Sequence, residues 1–171
     1  MKFNMKEFRA FVKDMHVETK ELGLVSLGEV WSGTQEYFIQ EVAKGLEEDI
    51  HYFVILKGRQ VMISTVCLAL DLYWAFKFDG TGGTLIADTE DNRDMFSTTL
   101  TLYAESLPNK WKKPIRSHNR TQMVIGNRSR IAYQVVGTKK KERRGVGVGK
   151  AIMMMHATEC ANWGDEDALA D

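Results

Sequence analysis

The stretch YFVILKGRQVMIST, residues 52–65, decides how the chain reads. Its first five residues, Tyr52 to Leu56, are all apolar, β-branched or aromatic, and Lys57 closes the run. That is the pattern of a strand buried on both faces. Gly58 allows a sharp turn. Arg59, Gln60 and the hydroxyl pair Ser64–Thr65 follow, and then VCLALDLYWAFKF, residues 66–78, apolar at nearly every position and long enough for a buried helix. Strand, short basic loop, hydroxyl pair and helix is the layout of a phosphate-binding loop. The N–H groups and the positive dipole end of the helix face the phosphate. A cation holds the terminal phosphates, and a Ser or Thr hydroxyl holds Mg2+. The strict G-x-x-x-x-G-K-[ST] pattern is absent: Met62 stands where the second glycine would be and Ile63 where the lysine would be. A core strand-turn-helix with an exposed arginine fits the same residues.

Upstream, Phe8, Phe11, Val12 and Met15 recur at helical spacing, which predicts a short amphipathic helix from Met5 to Asp14. Residues 18–29 are mixed and read as a connector. Trp31-Ser-Gly-Thr34 reads as a helix start, with Ser32 or Thr34 as the cap. The helix runs from Gln35 to Glu47, with Phe38, Ile39, Val42, Ala43 and Leu46 on one side. Gln35, in the first turn, is either a surface glutamine or a reader of adenine.

Downstream, Asp79-Gly-Thr-Gly-Gly83 is a loop, and Thr84 to Ala87 reads as a second buried strand. Asp88–Thr89 caps an amphipathic helix from Asp91 to Ser106. Pro108 to Pro114 is a basic, aromatic loop. Gln122–Ile125 and Ser129–Val136 flank a Gly-Asn turn and read as a hairpin. Lys139 to Gly149 is basic and glycine-rich, which predicts mobility. Ala151 to His156 reads as a third buried strand, with Thr158–Glu159 just beyond it. Strand-helix-strand-helix predicts a parallel α/β sheet with right-handed crossovers. Ligands of such sheets sit at the carboxyl ends of the strands, so the loop after Leu56 and the pair Thr158–Glu159 are expected at one edge. Gly145-Val-Gly-Val-Gly-Lys150 imitates a phosphate loop. It has one residue too few, Ala151 in place of the hydroxyl, and a strand-like run after it instead of a helix.

The 171 residues have room for one domain with a sizeable core. With 23 basic and 23 acidic side chains the net charge is zero, so any nucleic-acid surface must be a local patch. Cys67 and Cys160 give no ligand spacing and fit a reducing cytoplasm better than a disulfide scaffold. The first residues lack a signal-peptide core. No apolar run approaches the roughly 18 residues of a membrane span.

Four stretches together resemble the ATPase domain of bacteriophage large terminase subunits, the motors that drive DNA into the capsid. Trp31 to Gln35 is similar to that family's upstream glutamine motif. Arg59-Gln-Val-Met-Ile-Ser-Thr65 resembles its variant Walker A, in which an Arg-Gln pair opens the loop and the arginine replaces the usual lysine. Lys139 to Gly145 resembles its Arg-Gly loop. Met153 to Trp163 resembles its Walker B: an apolar strand, then His, a hydroxyl residue, Glu, a small residue and an aromatic. The resemblance covers residues 31–163. Met62 departs from the family's glycine, and Thr158 stands where an Asp would help to hold Mg2+ through water.

The resemblance implies an α/β fold of the P-loop NTPase kind. Its mostly parallel sheet would be flanked by helices, with an additional strand and a catalytic glutamate, and be incomplete at the C-terminus. It divides the chain into an N-terminal helical segment, 1–30, and a partial ATPase domain, 31–171, without the coupling motif and the nuclease domain. It implies ATP and Mg2+ as ligands. Gln35, Gly58, Arg59, Gln60, Ser64, Thr65 and Thr158 would bind them, with Ser64 on Mg2+ and Thr158 reaching it through water. Glu159 would orient the attacking water and Arg59 would hold the β- and γ-phosphates. Arg144, or Arg143 beside it, would be a finger acting on the next subunit of a ring. Lys139 to Lys141 and Lys110 to Lys113 would touch DNA phosphates without reading sequence. The implied partners are double-stranded DNA, a portal protein, a small terminase subunit and further copies in a homo-oligomeric ring, with no membrane. The implied setting is the cytoplasm of an infected bacterium, at the procapsid portal. Competing readings are another helicase-like ring ATPase, an inactive nucleotide- or DNA-binding remnant, and a plain α/β interaction domain.

Overall fold

Asn4 starts the first helix by accepting the Glu7 N–H at 3.0 Å, and α1 spans Met5–Val12. In this computed structural model, residues 3–58, 62–136, 152–160 and 163 are described. The calls on Arg59, Gln60, Lys139 to Gly149, Arg143 and Arg144 lie outside them. The chain divides into two compact units: Met1–Tyr73 with Leu102–Lys112, and Trp74–Thr101 with Lys113–Asp171.

In the first unit the expected apolar face of α1 is the buried one. The Phe8 and Phe11 rings each meet Tyr73 edge-on, with centroids 5.4 Å apart, and Phe11 meets Trp111 at 5.6 Å. Such edge-to-face pairs add to the burial energy of the rings themselves. The connector expected over residues 18–29 is instead largely an antiparallel hairpin, β1 (His16–Thr19) with β2 (Gly23–Ser26). Only Val17 of its eight strand residues is buried, so no period-two signal marks it. Helix α2 (Gly33–Glu47) starts as expected at Ser32, which forms a reciprocal capping box with Gln35. The chain leaves it through Asp49 in the left-handed region, φ 63°.

The central strand expected over Tyr52–Leu56 is not formed. Residues 51–58 have no strand partner, and Tyr52, Val54 and Leu56 are exposed. Composition gave the segment its readiness to extend; burial also requires a neighbouring strand, and no described strand pairs with it. Helix α3 (Ile63–Lys77) is buried nearly all round, as its sequence requires.

The second unit is built on a five-stranded sheet in the order β4-β5-β6-β3-β7. Its strands are β3 (Gly82–Ala87), β4 (Ile115–Asn119), β5 (Gln122–Ile125), β6 (Arg130–Val135) and β7 (Met154–Ala157). Helix α4 (Glu90–Ser106) follows β3, with Thr89 accepting the Asn92 N–H at 3.2 Å. The fold is therefore α/β, but the sheet is mixed rather than mostly parallel. β3 runs parallel to β6 and β7, while β4-β5-β6 is an antiparallel meander. The short loops 120–121 and 126–129 permit only antiparallel returns. The strand expected from Ala151 is an edge strand rather than a buried one, with Met154 inside and Met153 and Met155 exposed. At the other edge, β4 was not anticipated; all five of its residues are exposed.

Arg120, in the β4–β5 turn, clasps the start of α4, reaching Asp94 at 3.0 Å and Glu90 at 2.8 Å. The Arg120 hydrogen bond, aided by Arg93, holds the Asp94 carboxyl below its usual range. A depressed carboxyl contributes stability above the unfolded value, near 3.9, and loses it as pH falls through the folded one. Thermal midpoints at pH 5 and pH 3 should therefore differ less in Asp94→Asn than in the parent chain.

Candidate functional site

The first group of predicted residues lies in the first unit, around the entrance to α3. Met62, the residue before the helix, has φ 53°. That is the left-handed conformation in which a side chain costs about 1–2 kcal/mol and glycine costs nothing. The position where the resemblance expects a glycine thus has a glycine-like backbone with a methionine on it. Gly58 has open space where a Cβ would stand.

Gln35 is fully buried. Its Oε1 accepts the Ser32 N–H at 2.8 Å and its Nε2 donates to the Met62 carbonyl at 3.3 Å. The amide is spent on the chain itself, tying the start of α2 to the residue that opens α3. The capping position was visible in the sequence; the partner 27 residues on was not.

Ser64 and Thr65 sit half-buried in the first turn of α3. Thr65 shares a hydrogen bond with the Tyr103 phenol, which burial pushes well above its ordinary pKa. The Ser64 hydroxyl takes no hydrogen bond among the described residues. Magnesium keeps most of its waters and takes one or two hard protein oxygens beside phosphate. Ser64 fits such a donor.

Deeper in the same helix, burial, and then the charge of Asp71, raise Cys67 to about 12, with Lys57 partly opposing them. Cys67 is a buried free thiol. Asp71 is itself buried, and its field and that of Lys57 act on the same sulfur. A lone acid within the apolar run was the signal for Asp71.

The second group lies in the second unit. Parallel pairing puts the carboxyl ends of β3, β6 and β7 at one edge of the sheet. Thr158 and Glu159 leave β7 there, and Asp88 leaves β3. Thr158 is buried; its N–H bonds Ile86 O at 3.0 Å and its hydroxyl points to the same carbonyl at 3.5 Å. Its hydroxyl therefore faces the sheet, a poor posture for supporting a metal-bound water. Glu159 is exposed and held at φ 51°. Trp163 folds back over this turn: its Nε1 donates to Thr158 O and its N–H to Cys160 O, both at 3.1 Å. Trp163 thus fastens the turn that carries Glu159. His156 is half-buried on β7.

A Ser–His contact also occurs in this unit, Ser97 Oγ to His118 Nε2 at 2.8 Å. Ser97 lies inside α4, and Thr101 rather than a carboxylate approaches the imidazole. Among the described residues no carboxylate hydrogen-bonds this imidazole.

Among the described residues no group of three His, Cys, Asp or Glu side chains could hold a metal ion, and no helix is long and apolar enough to cross a membrane. No protein-family model matches this chain, and no curated protein matches it.

Two substitutions test the entrance to α3. Met62→Gly should keep the thermal midpoint level or raise it by up to about 1 kcal/mol of stability, since relieved strain offsets the added chain entropy. Gln35→Ala should cost about 1–3 kcal/mol in urea melts, because it removes the two hydrogen bonds that the buried amide makes to the Ser32 N–H and the Met62 carbonyl.

Proposed function

We propose that this chain is the ATPase part of a DNA-packaging motor of the large-terminase kind, hydrolysing ATP to drive double-stranded DNA into a viral procapsid. The observation that carries the reading is Glu159: an exposed carboxylate on a left-handed backbone, past the end of a parallel strand, in a turn fastened by Trp163. Non-glycine residues in that conformation cost energy and cluster at functional sites. Support from the first unit is the left-handed Met62 ahead of α3 and the Ser64 hydroxyl in its first turn, which takes no hydrogen bond among the described residues.

In this reading Arg59 holds the β- and γ-phosphates, its fork matching paired oxygens. Ser64 would hold Mg2+, whose charge would offset that of the phosphates. Glu159 orients a water for attack on the γ-phosphorus and draws its proton; ADP and phosphate leave. Positioning and charge neutralisation supply most of the rate. Gln35 supports the loop through Met62 rather than touching the base. Arg144 or Arg143 acts on the neighbouring subunit of a ring, and the motor works at the procapsid with the portal protein and the small terminase subunit. A second reading, nucleotide binding without turnover, is favoured by the Thr158 hydroxyl facing its own sheet.

Thermal unfolding with Mg-ATP tests the site. A ligand at a hundred times its Kd adds about 2.7 kcal/mol. The rise should require Mg2+, vanish in Arg59→Ala and survive in Glu159→Gln. Phosphate release by the parent chain should be abolished in Glu159→Gln. Equal, background release by both selects the non-catalytic reading, and a cooperative melt that Mg-ATP leaves unmoved overturns nucleotide binding altogether.

A further inference from the structure

The segment after α2 carries an apolar surface that no described residue covers. Its side chains alternate: Phe53 and Ile55 are 37% and 41% exposed, whereas Tyr52, Val54 and Leu56 are 91%, 92% and 96% exposed. Phe53 is turned to its own unit, where its ring lies so close to Gly45 of α2 that a Cβ there would come within 2.6 Å of it. Among the described residues no hydrogen bond reaches the backbone of Tyr52–Leu56. The segment therefore offers unpaired N–H and C=O groups together with a row of apolar side chains, the two things a β-strand partner recognises.

The charges say which partner. Residues 52–56 carry none. Glu47, Glu48 and Asp49 precede them, and Lys57 follows. Asp49 is exposed, with His51 2.9 Å from its carboxylate, and Lys57 is exposed. A parallel copy would set Asp49 beside Asp49 and Lys57 beside Lys57. An antiparallel copy with its two-fold axis on Phe53 sets Asp49 opposite Lys57 at both ends. The same register puts Ile50 opposite Leu56 and Tyr52 opposite Val54. The segment is thus complementary to itself in one direction only, as an isologous contact requires. We propose that residues 50–57 form an antiparallel two-stranded pairing with the same residues of a second copy of this chain. The inference stands whether or not the chain binds nucleotide.

Sedimentation velocity across a concentration series of the full chain tests it. The parent should dimerise. Val54→Lys should be monomeric with an unchanged far-UV CD spectrum and melting curve, since position 54 is exposed and contributes little to the fold. Asp49→Lys and Lys57→Glu each place like charges at both ends and should weaken the dimer about tenfold or more. An equimolar mixture of these two variants restores opposite charges at both ends and should dimerise as the parent does. A parent that stays monomeric throughout the series, or a Val54→Lys chain that still dimerises, overturns the proposal. So does a mixture that associates no better than its components.

Discussion

Parallel pairing on both sides of β3 is the constraint on which the second unit depends. A strand hydrogen-bonded to two parallel neighbours has its polar backbone satisfied and both faces available for burial. β3 uses this fully: Gly83 to Ala87 are all buried. Parallel neighbours cannot be reached by a tight turn, so the chain must leave and come back. It leaves β3 through α4, returns by the β4-β5-β6 meander, and reaches β7 from a further excursion. The three parallel strands then end at one edge of the sheet. Asp88, Thr158 and Glu159 stand at that edge because β3 and β7 run in the same direction.

The first unit depends on a different kind of contact. Among its described residues the one sheet is the short β1–β2 hairpin, so its order comes from helices packed through aromatic rings and from single buried polar groups. Tyr73 gathers Phe3, Phe8 and Phe11 around one ring. Gln35 holds the left-handed turn at Met62 from inside. Strain at Met62 and a buried amide on its carbonyl are two halves of one arrangement, since a strained backbone persists only where its surroundings fix it.

The helices were legible because each has a pattern that allows one answer: a stripe in α1, an unbroken apolar run in α3, a capping box at Ser32–Gln35. The strands were legible in proportion to their burial. Thr84 to Ala87 and Tyr52 to Leu56 have nearly the same composition, yet one is the centre of a sheet and the other is exposed. Composition encodes a preference for extended backbone; the partner is a property of topology. β1, β2 and β4 fail the other way, being strands whose side chains are mostly exposed and carry no alternation to detect. At the candidate site, residue types such as Ser64 and Glu159 could be picked from order and spacing. The backbone angles of Met62 and Glu159, the inward hydroxyl of Thr158 and the engagement of Thr65 with Tyr103 could not, because they depend on residues distant in the chain.

Met62 and Glu159 are two of the four described non-glycine residues in the left-handed region. Each has a side chain where glycine would be cheaper; Met62 lies just before a helix and Glu159 just past a strand. At Glu159 the side chain is an exposed carboxylate, which glycine could not supply. At Met62 no comparable return is visible, because the methionine brings no polar group to the loop. The reading that asks least of the sequence is that the backbone conformation at 62 is required by the entry into α3, and the Gln35 amide makes it tolerable for a residue other than glycine. On that account the backbone at residue 62 is held from α2, and the identity of that residue matters less than the hydrogen bond to its carbonyl.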